Sequence, residues 1–89
     1  MTKRARSLEF DPLAFEDLAW WIEQDRKKAL RIVRLIKEVQ RHPFEGTGQP
    51  ERLKHQLSGC WSRRIDQEHR LVYQVAEDKI RILACRYHY

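Results

Sequence analysis

Cys60-Trp61-Ser62-Arg63-Arg64-Ile65, Asp66-Gln67-Glu68-His69, Arg70-Leu71-Val72-Tyr73-Gln74-Val75 is the run whose reading decides the fold. Ser58-Gly59 turns the chain into it, residues 60–65 predict a strand, and Asp66–His69 predicts a turn. In residues 70–75, Leu71, Tyr73 and Val75 alternate with Arg70, Val72 and Gln74, the period of a strand, with Arg70 on the face opposite the Leu71 row. Glu77-Asp78 makes a tight connection to a last strand over Lys79–Tyr87. There Ile80, Ile82 and Ala84 alternate with Leu83, Cys85 and Tyr87, so both faces are mostly apolar, as in a central strand covered on both sides.

Working back toward the N-terminus, residues 43–50 read Pro-Phe-Glu-Gly-Thr-Gly-Gln-Pro and hold two of the three glycines and two of the three prolines. This predicts a loop with Gly46 and Gly48 at positive-φ turns. It lies away from any strand-helix junction, which excludes a nucleotide-binding glycine loop. Glu51 follows on a short helical turn or irregular segment through Leu57. A helix over residues 26–41 presents Ala29, Ile32, Val33, Ile36 and Val39 as its core stripe, with Lys27, Arg31, Arg34, Lys37 and Arg41 outward. That basic face reads either as a solvated helix surface or as an RNA-backbone contact.

Before it, Asp11 caps a helix that has Pro12 in its first turn and Phe15, Leu18, Ala19 and Ile22 as its buried stripe. Trp20 and Trp21 do not both fit on that stripe, so one faces the sheet edge or a partner. Ser7–Phe10 forms a short strand with Leu8 and Phe10 inward. The order is β-α-α-β-β-β: an α+β fold with two N-terminal helices packed on a mainly antiparallel sheet of four to five strands.

Length sets one domain over residues 1–89. Its core is thin, since a chain of this size buries only about 60 to 65% of its unfolded surface. With 42% hydrophobic and 35% charged residues it is a folding chain rather than a disordered one. The net charge of +5 favours an anionic partner, and its spread, +2 over residues 1–50 and +3 over residues 51–89, excludes a basic tail. Cys60 and Cys85 form no CxxC or Cys/His quartet, which argues against a zinc site and for two buried thiols in a reducing compartment. No apolar stretch approaches the ~18 residues of a membrane span, and Met1-Thr2-Lys3-Arg4-Ala5-Arg6 leads into no signal-peptide core. A cytoplasmic protein without membrane contact, cofactor or metal is expected.

Chemistry-bearing residues crowd into 51–70 and the end of the chain: Glu51, Arg52, Lys54, His55, Arg63, Arg64, His69, Arg70, then Arg86-Tyr87-His88-Tyr89. An acid, several cations and imidazoles with little apolar padding are solvated, paired or held for a ligand, and an RNA phosphodiester fits all three kinds of group. His55 and His69 are each open between holding a loop and touching RNA. Trp61 reads as core rather than as a base-stacking platform, and Arg63 as a surface or partner-facing residue.

These same residues carry a family resemblance. Pro43-Phe44-Glu45-Gly46-x-Gly48-x-Pro50-Glu51, Leu53-Lys54-His55-x-Leu57-Ser58-Gly59-x-Trp61-Ser62-Arg63-Arg64-Ile65, Glu68-His69-Arg70-Leu71-Val72-Tyr73 and Ala84-Cys85-Arg86-Tyr87-His88-Tyr89 resemble the YoeB-type toxins (Txe/YoeB family) of the RelE/ParE group. About half the chain matches at near identity and the rest by pattern. The departures are a few extra residues before the first strand and Cys60 where an aromatic is usual.

The resemblance implies a RelE-like fold. It also implies a ribosome-dependent endoribonuclease that cuts mRNA in the decoding site and is silenced by a Phd/YefM-type antitoxin, and it is compatible with a homodimer. It places the general base on Glu51, the general acid on His88 and the phosphate-binding arginine on Arg70. Lys54, Arg64 and Tyr89 match further site positions, and His55 joins Lys54 and Arg64 on the phosphate-binding side. A carboxylate at Tyr89 beside His88 would favour the imidazolium, which a C-terminal extension would test through the acid limb of the pH–rate profile. The rival readings are a non-catalytic ribosome- or nucleic-acid-binding module or antitoxin-paired repressor of the same fold, and a gyrase-poisoning toxin of the ParE type. Nothing in gyrase inhibition calls for an acid and base pair.

Overall fold

Five strands and two helices follow one another along the described residues: β1 (Ser7–Phe10), α1 (Pro12–Gln24), α2 (Arg26–Arg41), β2 (Glu51–Arg52), β3 (Cys60–Arg64), β4 (Arg70–Val75) and β5 (Lys79–Ala84). The computed structural model describes residues 5–54 and 59–87. The sheet runs β1-β5-β4-β3-β2, with β1 parallel to β5 and the other pairs antiparallel.

Both helices cover one face of this sheet. Ala14 and Trp21 of α1 and Ala29, Ile32, Leu35, Ile36 and Val39 of α2 pack on Leu71 and Tyr73 of β4 and Ile80 and Ile82 of β5. The opposite face carries a smaller apolar patch of Cys60, Val72 and Ala84, flanked by Leu53 and Leu83.

Asp11 caps α1, its carboxylate accepting from Leu13 N–H at 3.0 Å, and Pro12 occupies the first turn. Asp25 closes α1 through its N–H to the Trp21 carbonyl and opens α2 by accepting from Lys28 N–H, so one residue joins the two helices.

Three sequence expectations change on the helix side. The buried stripe of α1 is Ala14, Asp17, Leu18 and Trp21, while Phe15 and Ile22 are 63% and 58% exposed and Ala19 is exposed. The helix is turned by two polar demands: the Trp21 indole N–H donates to the Cys85 carbonyl at 2.7 Å and the Asp17 carboxylate accepts from Cys85 N–H at 3.0 Å. Trp20 lies half-buried at the margin of the core. In α2, Leu35 belongs to the stripe and Val33 only borders it. Leu8 pairs with Ile80 on the helix-facing side, yet the edge position of β1 leaves it 39% exposed while Phe10 packs on the core.

Two more concern the sheet. Where a short helical turn or irregular segment through Leu57 is expected, Glu51 starts a two-residue strand, because Glu51 and Arg52 pair with Ser62 and Trp61; Leu53 and Lys54 follow without regular structure, and residues 55–58 lie outside the described residues. The last strand stops at Ala84, short of Tyr87. Its register against β4 slips between Val72, paired with Ala84, and Tyr73, paired with Ile82, so Leu83 is an extra residue. Beyond this bulge the alternation inverts: Ala84 joins the patch opposite the helices and Cys85 enters the helix-side core.

Candidate functional site

Register across the sheet brings the charged residues together. Glu51 stands opposite Ser62, Ser62 opposite Val72 and Val72 opposite Ala84, and residues so paired share a face with Cα atoms about 4.5 to 5.5 Å apart. This row lies on the face away from the helices. In the next row Arg64 stands opposite Arg70, on the same face by alternation. Arg70 reaches back between the rows, its Nε donating to Ser62 Oγ at 2.9 Å. Glu51 and Arg64 are exposed and Arg70 is half-buried, so an acid and two cations border an open surface, with Lys54 exposed just past the end of β2.

The loop that delivers Glu51 is held by Arg63. This side chain is fully buried, and its guanidinium donates to the Glu38 carboxylate, to Tyr73 Oη at 3.2 Å, and to the carbonyls of His42, Glu45 (2.8 Å) and Thr47 (3.1 Å). Tyr73 Oη passes a hydrogen bond on to the Pro43 carbonyl at 2.6 Å, and Glu38 also accepts from Thr47 N–H and Oγ1. Partial burial works against the Glu38 charge, but the Thr47 and Arg63 hydrogen bonds outweigh it and hold the carboxyl below its usual range. Gly46 sits at φ +121°, where a Cβ would come within 2.1 Å of the Glu38 carboxylate. Gly48, at φ +87°, gives its carbonyl to Arg64 N–H at 2.7 Å. The expectation that Arg63 faces solvent or a partner is therefore overturned. Its signal was present in the sequence: Trp61, Arg63 and Ile65 share one parity along β3 and the residue after it, and Ile65 lies in the core with Trp61 packed on it.

The C-terminal arm is held from two sides. Asp17 and Trp21 take the N–H and carbonyl of Cys85, and Arg70 N–H donates to the Tyr87 carbonyl at 2.8 Å. Burial, with the Asp17 carboxylate adding to it, pushes the Cys85 thiol up to about 12, so it stays protonated and points at the Ala14 carbonyl. His69 packs edge-on against Trp21 with ring centres 4.8 Å apart and lies 5.7 Å from the Tyr87 ring. Its Nδ1 is 3.1 Å from the Asp66 carboxylate, so His69 holds the turn. Burial opposes the Asp66 charge, but hydrogen bonds from Lys28, the Glu68 and His69 backbones and the His69 ring drive its carboxyl far below the usual range. Arg86 lies over the Trp20 ring at 3.6 Å, and Tyr87 adopts φ +66°, a left-handed conformation uncommon for a residue with a Cβ.

Of the residues expected in the site, Glu51, Arg64 and Arg70 thus share one face, and Lys54 follows Glu51 on the exposed edge. His55, His88 and Tyr89 lie outside the described residues. Ser62 and Arg63, which bridge and brace the set, were not singled out for it. Among the described residues no group of three or more His, Cys, Asp or Glu is placed to hold a metal ion, and no helix is long and apolar enough to cross a membrane.

The chain's relatives share this architecture over nearly its full length. The family model described as YoeB-like toxin of bacterial type II toxin-antitoxin system matches residues 10–89. Toxin YoeB of Mycobacterium bovis is 58% identical over 84 residues, covering 94% of this chain and 99% of that protein. A YoeB dimer from Staphylococcus aureus superposes with a TM-score of 0.89 at 44% identity, over 97% of this chain and 100% of the other. The same organism's YoeB-YefM complex contains a chain that superposes at a TM-score of 0.85 with 42% identity, over 97% of this chain and 100% of that one. The chain belongs to the YoeB-like toxins of bacterial type II toxin-antitoxin systems.

Proposed function

We propose that this toxin is a ribosome-dependent endoribonuclease that cleaves mRNA in the decoding site and so stops translation. The observation that carries the reading is the pair of adjacent rows on one sheet face: Glu51 opposite Ser62, Ser62 bonded to Arg70, and Arg70 opposite Arg64. Two guanidinium side chains set directly opposite one another destabilise a sheet, and an anion lying between them removes that penalty. A phosphate does so with bidentate geometry.

RNA cleaves when its 2′-OH loses a proton, attacks the adjacent phosphorus and expels the 5′-oxygen. Glu51 takes the 2′-OH proton, and His88 protonates the leaving oxygen, each such group typically contributing ~10²–10⁴-fold. An imidazole suits the acid step because its ordinary pKa of ~6.5 lets it hold or release a proton near neutrality. Arg70, with Arg64, Lys54 and His55, binds the charge that builds on the phosphorane, and Tyr89 stacks on a base or donates to the phosphate. Arg70 N–H, by holding the Tyr87 carbonyl, ties the residue before His88 to the strand that carries the phosphate-binding cation.

In this reading residues 1–89 work as one domain in the cytoplasm, and a YefM-type antitoxin silences it, as the Staphylococcus aureus complex suggests. Translating ribosomes supplied with the parent protein, Glu51→Gln and His88→Gln test it by primer extension on the mRNA. The parent cuts; both variants bind ribosomes and cut at least 100-fold more slowly, in the range of one lost acid or base. A variant that cleaves at the parental rate loses its assigned role, and a parent that binds without cutting is a non-catalytic ribosome-binding module.

A further inference from the structure

Around the β2 edge from Glu51 lies a second group of side chains that the cleavage step does not use. Strand alternation turns Arg52 to the face opposite Glu51, and there its guanidinium carbon sits 5.5 Å from the centre of the Trp61 ring. Phe44, from the loop, packs on Trp61 with ring centres 5.0 Å apart and planes tilted by 50°. Trp61 is backed by the core, whereas Phe44 remains 53% exposed and Arg52 is exposed. The arrangement is rigid, because the loop carbonyls on either side of Phe44, those of His42, Pro43, Glu45 and Thr47, are fixed by Arg63 and Tyr73. An exposed ring braced against a second ring, with a guanidinium alongside, is the equipment with which proteins hold an unpaired base and its phosphate.

We propose that Phe44, Trp61 and Arg52 form a nucleotide subsite: an unpaired base stacks on Phe44 and its phosphate pairs with Arg52. Charge complementarity favours RNA as the occupant, since the chain carries +5 overall and Arg52 and Lys54 follow within three residues of Glu51. The inference rests on the reading that RNA lies against Glu51, and places a flanking nucleotide of that RNA, or a ribosomal nucleotide, around the strand edge. Phe44 binds and orients without touching the reacting atoms.

The probe is a short single-stranded oligoribonucleotide methylated at every 2′-oxygen, which binds but lacks the attacking hydroxyl, with fluorescence anisotropy as readout. Vacant ribosomes form a second arm. Phe44→Ala and Arg52→Gln weaken binding by roughly 5- to 100-fold, the range of one lost base stack or phosphate contact, while Phe44→Trp restores it and Phe44→Leu does not. Loss on the oligonucleotide identifies the occupant as substrate RNA, and loss on vacant ribosomes alone identifies it as ribosomal RNA; either supports the subsite. Parental binding by Phe44→Ala and Arg52→Gln in both arms overturns it, as does a Phe44→Ala defect confined to antitoxin binding. Because the oligonucleotide is never cut, Phe44-dependent binding by a protein that fails to cleave mRNA keeps the subsite and removes the nuclease assignment. Cleavage with Phe44-independent binding does the reverse.

Discussion

Arg63 shows how much one side chain decides. Removing its guanidinium leaves the partly buried Glu38 carboxylate with Thr47 alone and takes the donor from the carbonyls of His42, Glu45 and Thr47. Arg63→Met is therefore expected to lower stability by about 1–3 kcal/mol in urea denaturation, the range for hydrogen-bonding groups left without their partner. Gly46→Ala probes the same hub: the methyl meets the Glu38 carboxylate at a backbone angle that disfavours any side chain, and about 1–3 kcal/mol is lost. Equal stability of the Gly46→Ala and parent proteins would show that the loop tolerates a rearranged Glu38. Arg63 also marks where the sequence misleads, because a charged residue beside another charged residue reads as surface until the parity of Trp61 and Ile65 is applied.

At the scale of elements, the bounds of α2 and β4 were legible to the residue, since each has a marked apolar period and a clear stop, although the α2 stripe takes in Leu35 where Val33 was read. The phase of α1 was not. Asp17 and Trp21 are turned inward by the backbone of Cys85, 64 residues or more away in sequence, and no periodicity within the helix carries that information. The bulge in β5 was hidden for a related reason: with apolar residues on both parities, a strand one residue out of step looks the same in sequence.

The site followed suit. Its charged members were visible as residue types, and their shared face depended on a register that β2, two residues long, does not announce.

Asp17 offers a test of this scale. Burial raises its carboxyl above the ordinary range, against the opposing pull of Cys85 N–H and the Arg86 charge, so the folded state disfavours the ionised form. Its unfavourable contribution grows as pH rises from the unfolded value of ~3.9 through the raised folded one. Asp17→Asn keeps an acceptor for Cys85 N–H without the charge and should melt at or above the parent at pH 7, while Asp17→Ala loses about 1–3 kcal/mol. Equal losses in the two variants would mean that the charge itself holds Cys85.

For the whole molecule, acid stability should depend chiefly on Asp66 and Glu38, whose carboxyls are held below their usual range against the opposing effect of burial. Such groups contribute fully above the unfolded carboxylate values of ~4, and the contribution is lost as pH falls through the lowered folded values. Thermal melts from pH 7 to pH 2 should show a steep decline below about pH 4. Asp66→Asn should start lower at pH 7 and decline less, since Lys28 and His69 no longer face a carboxylate. Parallel curves for the two proteins would assign the decline elsewhere.

Leu83 makes the count of β5 uneven, and the direction in which the chain's end faces depends on its staying outside the ladder. Deleting Leu83 would regularise the strand and leave Ala84 and Cys85 on their present faces, whereas drawing it into the ladder would swing Ala84 beneath the helices and turn Cys85 toward the arginines. Asp17 and Trp21 would then close on the wrong peptide groups. Deletion of Leu83 should therefore keep the Asp17 and Trp21 contacts to Cys85, and a melting temperature near the parent's would show it.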